Sequence, residues 1–208
     1  DGSEWAMQIR ADQTGVFIAY LVGRTSALVI DVVIEEDGSF SVVGSEFVPN
    51  PPTSQFGLVP PMARAESFIT LSGTLNDGQL EGTIPELALS ATGAAIIGSA
   101  TPTSGLYRTR AADPADGSSI TIIAPNGKLL AVTVSDTQVD GASGIADPTG
   151  NAILETFTGG QMVVSITATS RTARLAYANA TGDPAIEFLG TADDVEPNTR
   201  LSNLSVRS

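Results

Sequence analysis

Leu71-Ser-Gly-Thr-Leu75-Asn-Asp-Gly-Gln-Leu80-Glu-Gly-Thr-Ile84 reads as a β-hairpin whose register is written into it. Asp77-Gly78 suits a two-residue type I′ loop, where both central positions need positive φ. With that loop, facing residues sum to 155: Leu75 meets Leu80, Gly73 meets Gly82 and Leu71 meets Ile84. Every pair on that face is apolar or glycine, while Ser72, Thr74, Glu81 and Thr83 fall on the other. An alternation that matches across its own turn is what a half-buried antiparallel hairpin requires.

The same arithmetic reads the other turns. At Asp37-Gly38 a two-residue loop would set Phe40 against Glu35. A three-residue loop, Glu36-Asp37-Gly38 with a left-handed Gly38, instead pairs Ile34 with Phe40 and Val32 with Val42 at a sum of 74. Pro125-Asn126-Gly127 suits the same loop. Its flanks, Ile120–Ile123 and Leu129–Val134, are apolar on both faces, which predicts a strand pair covered on both sides or set in an interface. A two-residue loop at Gly159-Gly160 gives sums of 319, pairing Phe157 with Met162 and Ile153 with Ile166, but also placing Glu155 on the core face.

These turns belong to a repeated layout. Gly15-Val16-Phe17 is echoed by Gly105-Leu106-Tyr107 at an offset of 105 − 15 = 90. The turn at Gly38 is echoed at Gly127, offset 127 − 38 = 89, and the hairpin at Gly78 at Gly160, offset 160 − 78 = 82. Such self-similarity marks a duplicated supersecondary unit. The reading is therefore all-β: an antiparallel meander of about eight strands, closing as an up-and-down barrel, with a two-sheet β-sandwich as the alternative. Gly44, Gly73 and Gly82 on core faces fit the bends of a small barrel. Residues 1–198 form one domain of two similar halves, about 15–93 and 105–178, and 199–208 a C-terminal strand or the start of a following segment. Pro49–Pro61, Ala111–Ser118 and Val139–Gly150 read as irregular, and Met62–Ser67 as one helical turn. The expected core is Ile30, Val32, Ile34, Phe40, Val42, Leu71, Leu75, Leu80, Ile84, Ile120, Ile122, Leu130, Val132, Phe157, Met162 and Ile166.

Composition removes whole classes of function. The chain of 208 residues has no His and no Cys, so there is no Ser-His-Asp triad, thiol nucleophile, or zinc site built on imidazole or thiolate. A net charge of −13 repels a phosphate backbone, so nucleic acid and anionic membrane surfaces are not expected partners. No run of 18 apolar residues occurs, so no membrane-spanning helix and no membrane insertion are expected.

What chemistry remains rests on carboxylates and aromatics. Asp37-Gly38-Ser39 is a turn rather than an aspartic-protease motif. Glu81 and Glu155 sit on strands without the paired spacing of a glycosidase. Asp113 with Asp116, Asp136 with Asp140 and Asp147, and Asp193-Asp194 with Glu196 are loop acids that do not reproduce a calcium loop; no metal and no cofactor is assigned. Trp5, Tyr20, Tyr107 and Tyr177 read either as core plugs at strand ends or as a sugar-stacking platform. Beside Tyr107, Arg108 and Arg110 complete the candidate ligand-binding set, suited to an anionic glycan.

The string Arg200-Leu-Ser-Asn-Leu-Ser-Val-Arg207, with the layout Gly105-Leu-Tyr107, a Pro-Asn-Gly turn and Asp140-Gly-Ala-Ser-Gly-Ile-Ala-Asp147, resembles large secreted β-rich repeat proteins of environmental bacteria that carry an R-L-x-N-L-S-x-R segment. In that family the pattern continues past the position of Ser208, so a fragment and a natural terminus are both open. The resemblance transfers no catalytic residue. Together with the duplicated meander and the lack of a catalytic motif, it points to a secreted or cell-surface, non-catalytic β module with a structural, adhesive or surface-assembly role. Self-association, other surface proteins and glycans are the expected partners. A carbohydrate- or small-ligand-binding module is the alternative, and a carboxylate-dependent glycoside-active enzyme ranks third. The terminal segment, with Arg200 and Arg207, is expected to add as a strand to a sheet edge, in its own chain or a neighbour's.

Overall fold

The computed structural model describes residues 3–49, 64–96, 101–135, 138–181, 185–193 and 201–202. The described residues contain no α-helix; they form two antiparallel, nearly closed, barrel-like sheets, one from each half of the chain. The first is a meander of β1 (Glu4–Ile9), β2 (Thr14–Leu21), β3 (Ser26–Val33), β4 (Ser39–Val48), β5 (Arg64–Asn76), β6 (Gln79–Ile84) and β7 (Leu89–Ala94). The second comprises β8 (Gly105–Ala111), β9 (Ser118–Ile123), β10 (Lys128–Val134), β11 (Val139–Ile145), β12 (Asn151–Glu155), β13 (Gln161–Thr167), β14 (Thr172–Ala178) and β15 (Ile186–Ala192). There β15 returns to pair with β8, and the sheet opens between β11 and β12. A two-residue β16 (Leu201–Ser202) lies antiparallel on β1, so the terminal strand adds to a sheet edge of its own chain.

The barrel architecture is therefore realised twice, because each half carries enough strands to curl on itself. The opening triplets β2-β3-β4 and β8-β9-β10 are equivalent. Beyond them the match slips: the Gly78 turn joins the fourth and fifth strands counted from β2, whereas the Gly159-Gly160 turn joins the fifth and sixth counted from β8.

Three of the four turns form as the residues dictate. Leu75 faces Leu80 and Gly73 faces Gly82, with φ of 49° at Asp77 and 74° at Gly78. Leu28 faces Glu46, at the sum of 74, and Gly38 has φ 83°. Leu129 faces Ile123, and Gly127 has φ 82°. The fourth differs. Leu154 faces Met162 and Glu155 faces Gln161, a sum of 316, and the Thr156 amide bonds the Gly160 carbonyl at 2.9 Å across a loop of Phe157, Thr158 and Gly159. The odd shift turns the strand over. Leu154 enters the core and Glu155 and Ile153 face solvent, so no carboxylate is buried unpaired.

One segment read as a helical turn and one read as a loop are strands. Arg64–Ser67 opens β5; Met62 and Ala63 lie outside the described residues. Val139–Ile145 is β11, its glycines serving close approach: a side chain at Gly141 would strike the Tyr20 ring, and one at Gly144 would strike Leu154. Most of Pro49–Pro61 also lies outside the described residues.

Each barrel interior is packed. The first holds Trp5, Met7, Phe17, Leu28, Ile30, Phe40, Leu71 and Leu80 among others. The second holds Tyr107, Leu129, Leu154, Met162, Leu175, Tyr177 and Phe188. A third cluster joins the barrels: Ala6, Val16, Ile18, Tyr20 and Ala27, on the outer faces of β1–β3, pack on Leu106, Ile122, Leu130, Val132 and Val139 from β8–β11. This explains strands apolar on both faces: one face fills a barrel, the other the junction. The expected core residues are buried except Val42, Leu75, Ile120 and Phe157, which are half-buried.

Candidate functional site

Alternation along β8 decides where the candidate ligand-binding residues go. Tyr107 points inward and is fully buried, its hydroxyl donating to the Thr103 carbonyl at 2.8 Å. It is a core residue and cannot stack on a ligand. Arg108 and Arg110, two positions apart on the opposite face, point out of the barrel. Both line a cleft of about 550 Å³ where the junction fails to close. Its walls are Val29 and Phe47 from the first barrel and Ile120, Val132 and Val134 from the second, with the Pro114 and Gly117 turn and Ser118 at the rim.

The two arginines differ in their surroundings. Arg108 donates from Nη2 to Asp31 Oδ1 at 3.1 Å and from Nε to Asp193 Oδ2 at 2.8 Å. Arg10 donates to the same Asp193 oxygen at 3.2 Å, so a chain of ion pairs crosses between the barrels. These groups are solvent-accessible and each pair stabilises little, about 0–1 kcal/mol. Arg110 is exposed, and among the described residues it makes no ion pair or side-chain hydrogen bond, whereas Arg10, Arg24, Arg108, Arg171 and Arg174 each have a partner.

A second polar cluster is sealed inside. Asp140, on β11, is fully buried. Its Oδ1 accepts from the amides of Gly141 at 2.8 Å and Thr158 at 3.3 Å; its Oδ2 accepts from the Thr158 hydroxyl and from Tyr177 at 3.2 Å. Tyr20 approaches from the first barrel and stacks on Phe157 with ring centroids 4.9 Å apart. Burial, then the Asp140 charge, pushes the Tyr20 phenol up to about 12. Burial, the Asp140 charge and the hydrogen bond to it drive Tyr177 higher still. With four donors satisfied and no solvent access, Asp140 is an anchor that ties the β12–β13 loop to β11. Sequence reading separated these residues, placing Asp140 among loop acids and the tyrosines among plugs. Their meeting depends on the fold of both barrels.

The remaining candidates lie apart. Trp5 is buried, stacks on Phe17 at 5.4 Å between centroids, and borders a pocket of about 390 Å³ between β1–β2 and β7. Asp37 accepts from the amide and hydroxyl of Ser39, and Asp113 caps the turn at Ala115, both within their own loops. Asp147 accepts from Thr149 and Asn151. Glu81 is exposed on β6. Asp136, Asp194 and Glu196 lie outside the described residues, among which no three carboxylates are gathered. Comparison with protein-family models, curated proteins and solved structures finds no match.

Proposed function

We propose that this chain is a non-catalytic β module with a structural role in an extracellular or cell-surface assembly. The observation that carries the reading is the apolar lining of both barrel interiors: the pocket of about 390 Å³ at the seam of the first is walled mainly by Trp5, Phe17, Ala19, Leu21, Leu28 and Ile84, where a ligand-carrying barrel keeps a cavity with converging polar groups. Among the described residues, the buried carboxylates are held by partners of their own: Asp140 by Gly141, Thr158 and Tyr177, and Glu46 by Ser26 and Arg24. The resemblance of Arg200–Arg207 to secreted repeat proteins supports a place outside the cell. The carbohydrate reading loses its stacking platform, since Trp5, Tyr20, Tyr107 and Tyr177 are all buried.

The test is a panel of neutral and acidic oligosaccharides, with chromogenic glycosides beside it. The expected result is no change in thermal midpoint and no product release. A saturable rise in midpoint with any oligosaccharide, or turnover of any glycoside, overturns the reading.

A further inference from the structure

The cleft between the barrels combines features that the structural role leaves unused. Its walls are apolar and half-buried: Val29, Phe47, Ile120 and Val134 pack against the junction with one side and leave the other open. At its rim stand Arg108 and Arg110, two positions apart on one face of one strand, with Cα atoms about 7 Å apart by strand geometry. Arg108 is neutralised by Asp31 and Asp193, but Arg110 makes no ion pair among the described residues. In a chain of net charge −13, with acids more than twice as frequent as Lys and Arg, an arginine left unpaired beside an apolar hollow is the exception.

From this charge complementarity we propose that the cleft binds a small amphiphilic carboxylate, an anionic head on an aliphatic body. The carboxylate would be held by the Arg110 guanidinium, whose planar fork matches two carboxylate oxygens. The aliphatic body would lie against Val29, Phe47, Ile120 and Val134. The volume, about 550 Å³, falls in the ordinary range for small-ligand sites. The head supplies orientation and the body supplies the burial: acetate alone would find too little apolar contact, and an alcohol of equal length would leave Arg110 unanswered. This site is separate from the barrel interiors, so it stands or falls independently of the structural reading.

The experiment uses the whole chain and three probes: decanoate below its micelle concentration, decanol and acetate. Binding is followed by titration calorimetry and by amide shifts in the NMR spectrum. Decanoate should bind saturably, at least tenfold tighter than decanol, with shifts centred on Arg110, Ser118 and Val134; acetate should not bind measurably. Arg110→Ala, an exposed substitution expected to leave the fold intact, should bring decanoate down to the affinity of decanol. Arg110→Lys should recover part of the difference. Phe47→Ala should weaken decanoate and decanol alike. Absence of saturable decanoate binding, equal affinity for decanoate and decanol, or unchanged decanoate binding by Arg110→Ala would each overturn the proposal. So would shifts centred on the pocket beside Trp5.

Discussion

At the scale of residues, the chain places two phenols against one buried carboxylate, and the consequence is a pH dependence with a definite sign. An unfolded tyrosine ionises near pH 10. Folding raises Tyr20 to about 12, with burial first and the Asp140 charge second, and raises Tyr177 for the same reasons. A pKa raised on folding means the fold favours the protonated form. That contribution is complete below about pH 10 and is lost as pH climbs toward 12. Thermal midpoints measured from about pH 8 to about pH 12 should hold and then fall, with tyrosinate absorbance appearing together with unfolding. Tyr20→Phe should make the fall shallower. A further residue carries a cost: Gln8, on β1, is buried with both ends of its amide unpaired. Gln8→Leu should raise stability by about 1–3 kcal/mol in urea unfolding, since the apolar side chain removes an unsatisfied polar group. Neither feature was legible in the sequence. Asp140 and Tyr177 are 37 positions apart, and Tyr20 comes from the other barrel.

At the scale of elements, turn chemistry separates what was readable from what was not. Asp77-Gly78, Gly38 and Gly127 announced their loops because only glycine, or Asp and Asn beside it, adopts positive φ without strain. Thr25, Ala88 and Arg171 adopt positive φ too, at 51°, 52° and 50°, and nothing in their chemistry signals it. At Gly159-Gly160 the adjacent glycines admitted two loops, and the cost of burying Glu155 decided between them. The two kinds of glycine turn should respond differently to alanine. At Gly38 an added Cβ meets the Leu75 carbonyl and the Asn76 side chain, whereas at Gly159 its nearest neighbour is Ala180 at 3.9 Å. Gly159→Ala should cost about 1–2 kcal/mol from backbone strain alone, and Gly38→Ala more, in equilibrium denaturation. The inward pairing of β5 and β6 is tested the same way. Leu80 is buried and Leu75 half-buried, so Leu80→Ala should cost about 2–5 kcal/mol and Leu75→Ala distinctly less. Equal midpoints for both variants would mean that the facing register does not set the core.

At the scale of the molecule, the junction decides whether two barrels behave as one body. Ile18 and Ile122 are fully buried between them, so separating the barrels would expose a contiguous apolar surface. Calorimetry of the intact chain should show one cooperative transition. Ile18→Asp, which buries an unpaired carboxylate there, should lower the midpoint and split the transition in two. The doubly apolar strands β9 and β10 made this interface legible as a covered strand pair, but not its partner: residues 16–21 of β2 are apolar on both faces as well, and nothing in either run says which other strand covers it. Sequence order also imposes a schedule. The first barrel can zip hairpin by hairpin as the chain emerges during synthesis. The second must wait, for β8 takes its final neighbour only when β15 arrives, and Gly190 meets Thr109 across 190 − 109 = 81 residues. Closing so long a span costs chain entropy before any pairing repays it. Meanwhile β8 offers an open edge to other nascent chains. Early docking of β8–β10 onto the finished first barrel would shelter one face of that waiting sheet, making the first half a template on which the second is completed.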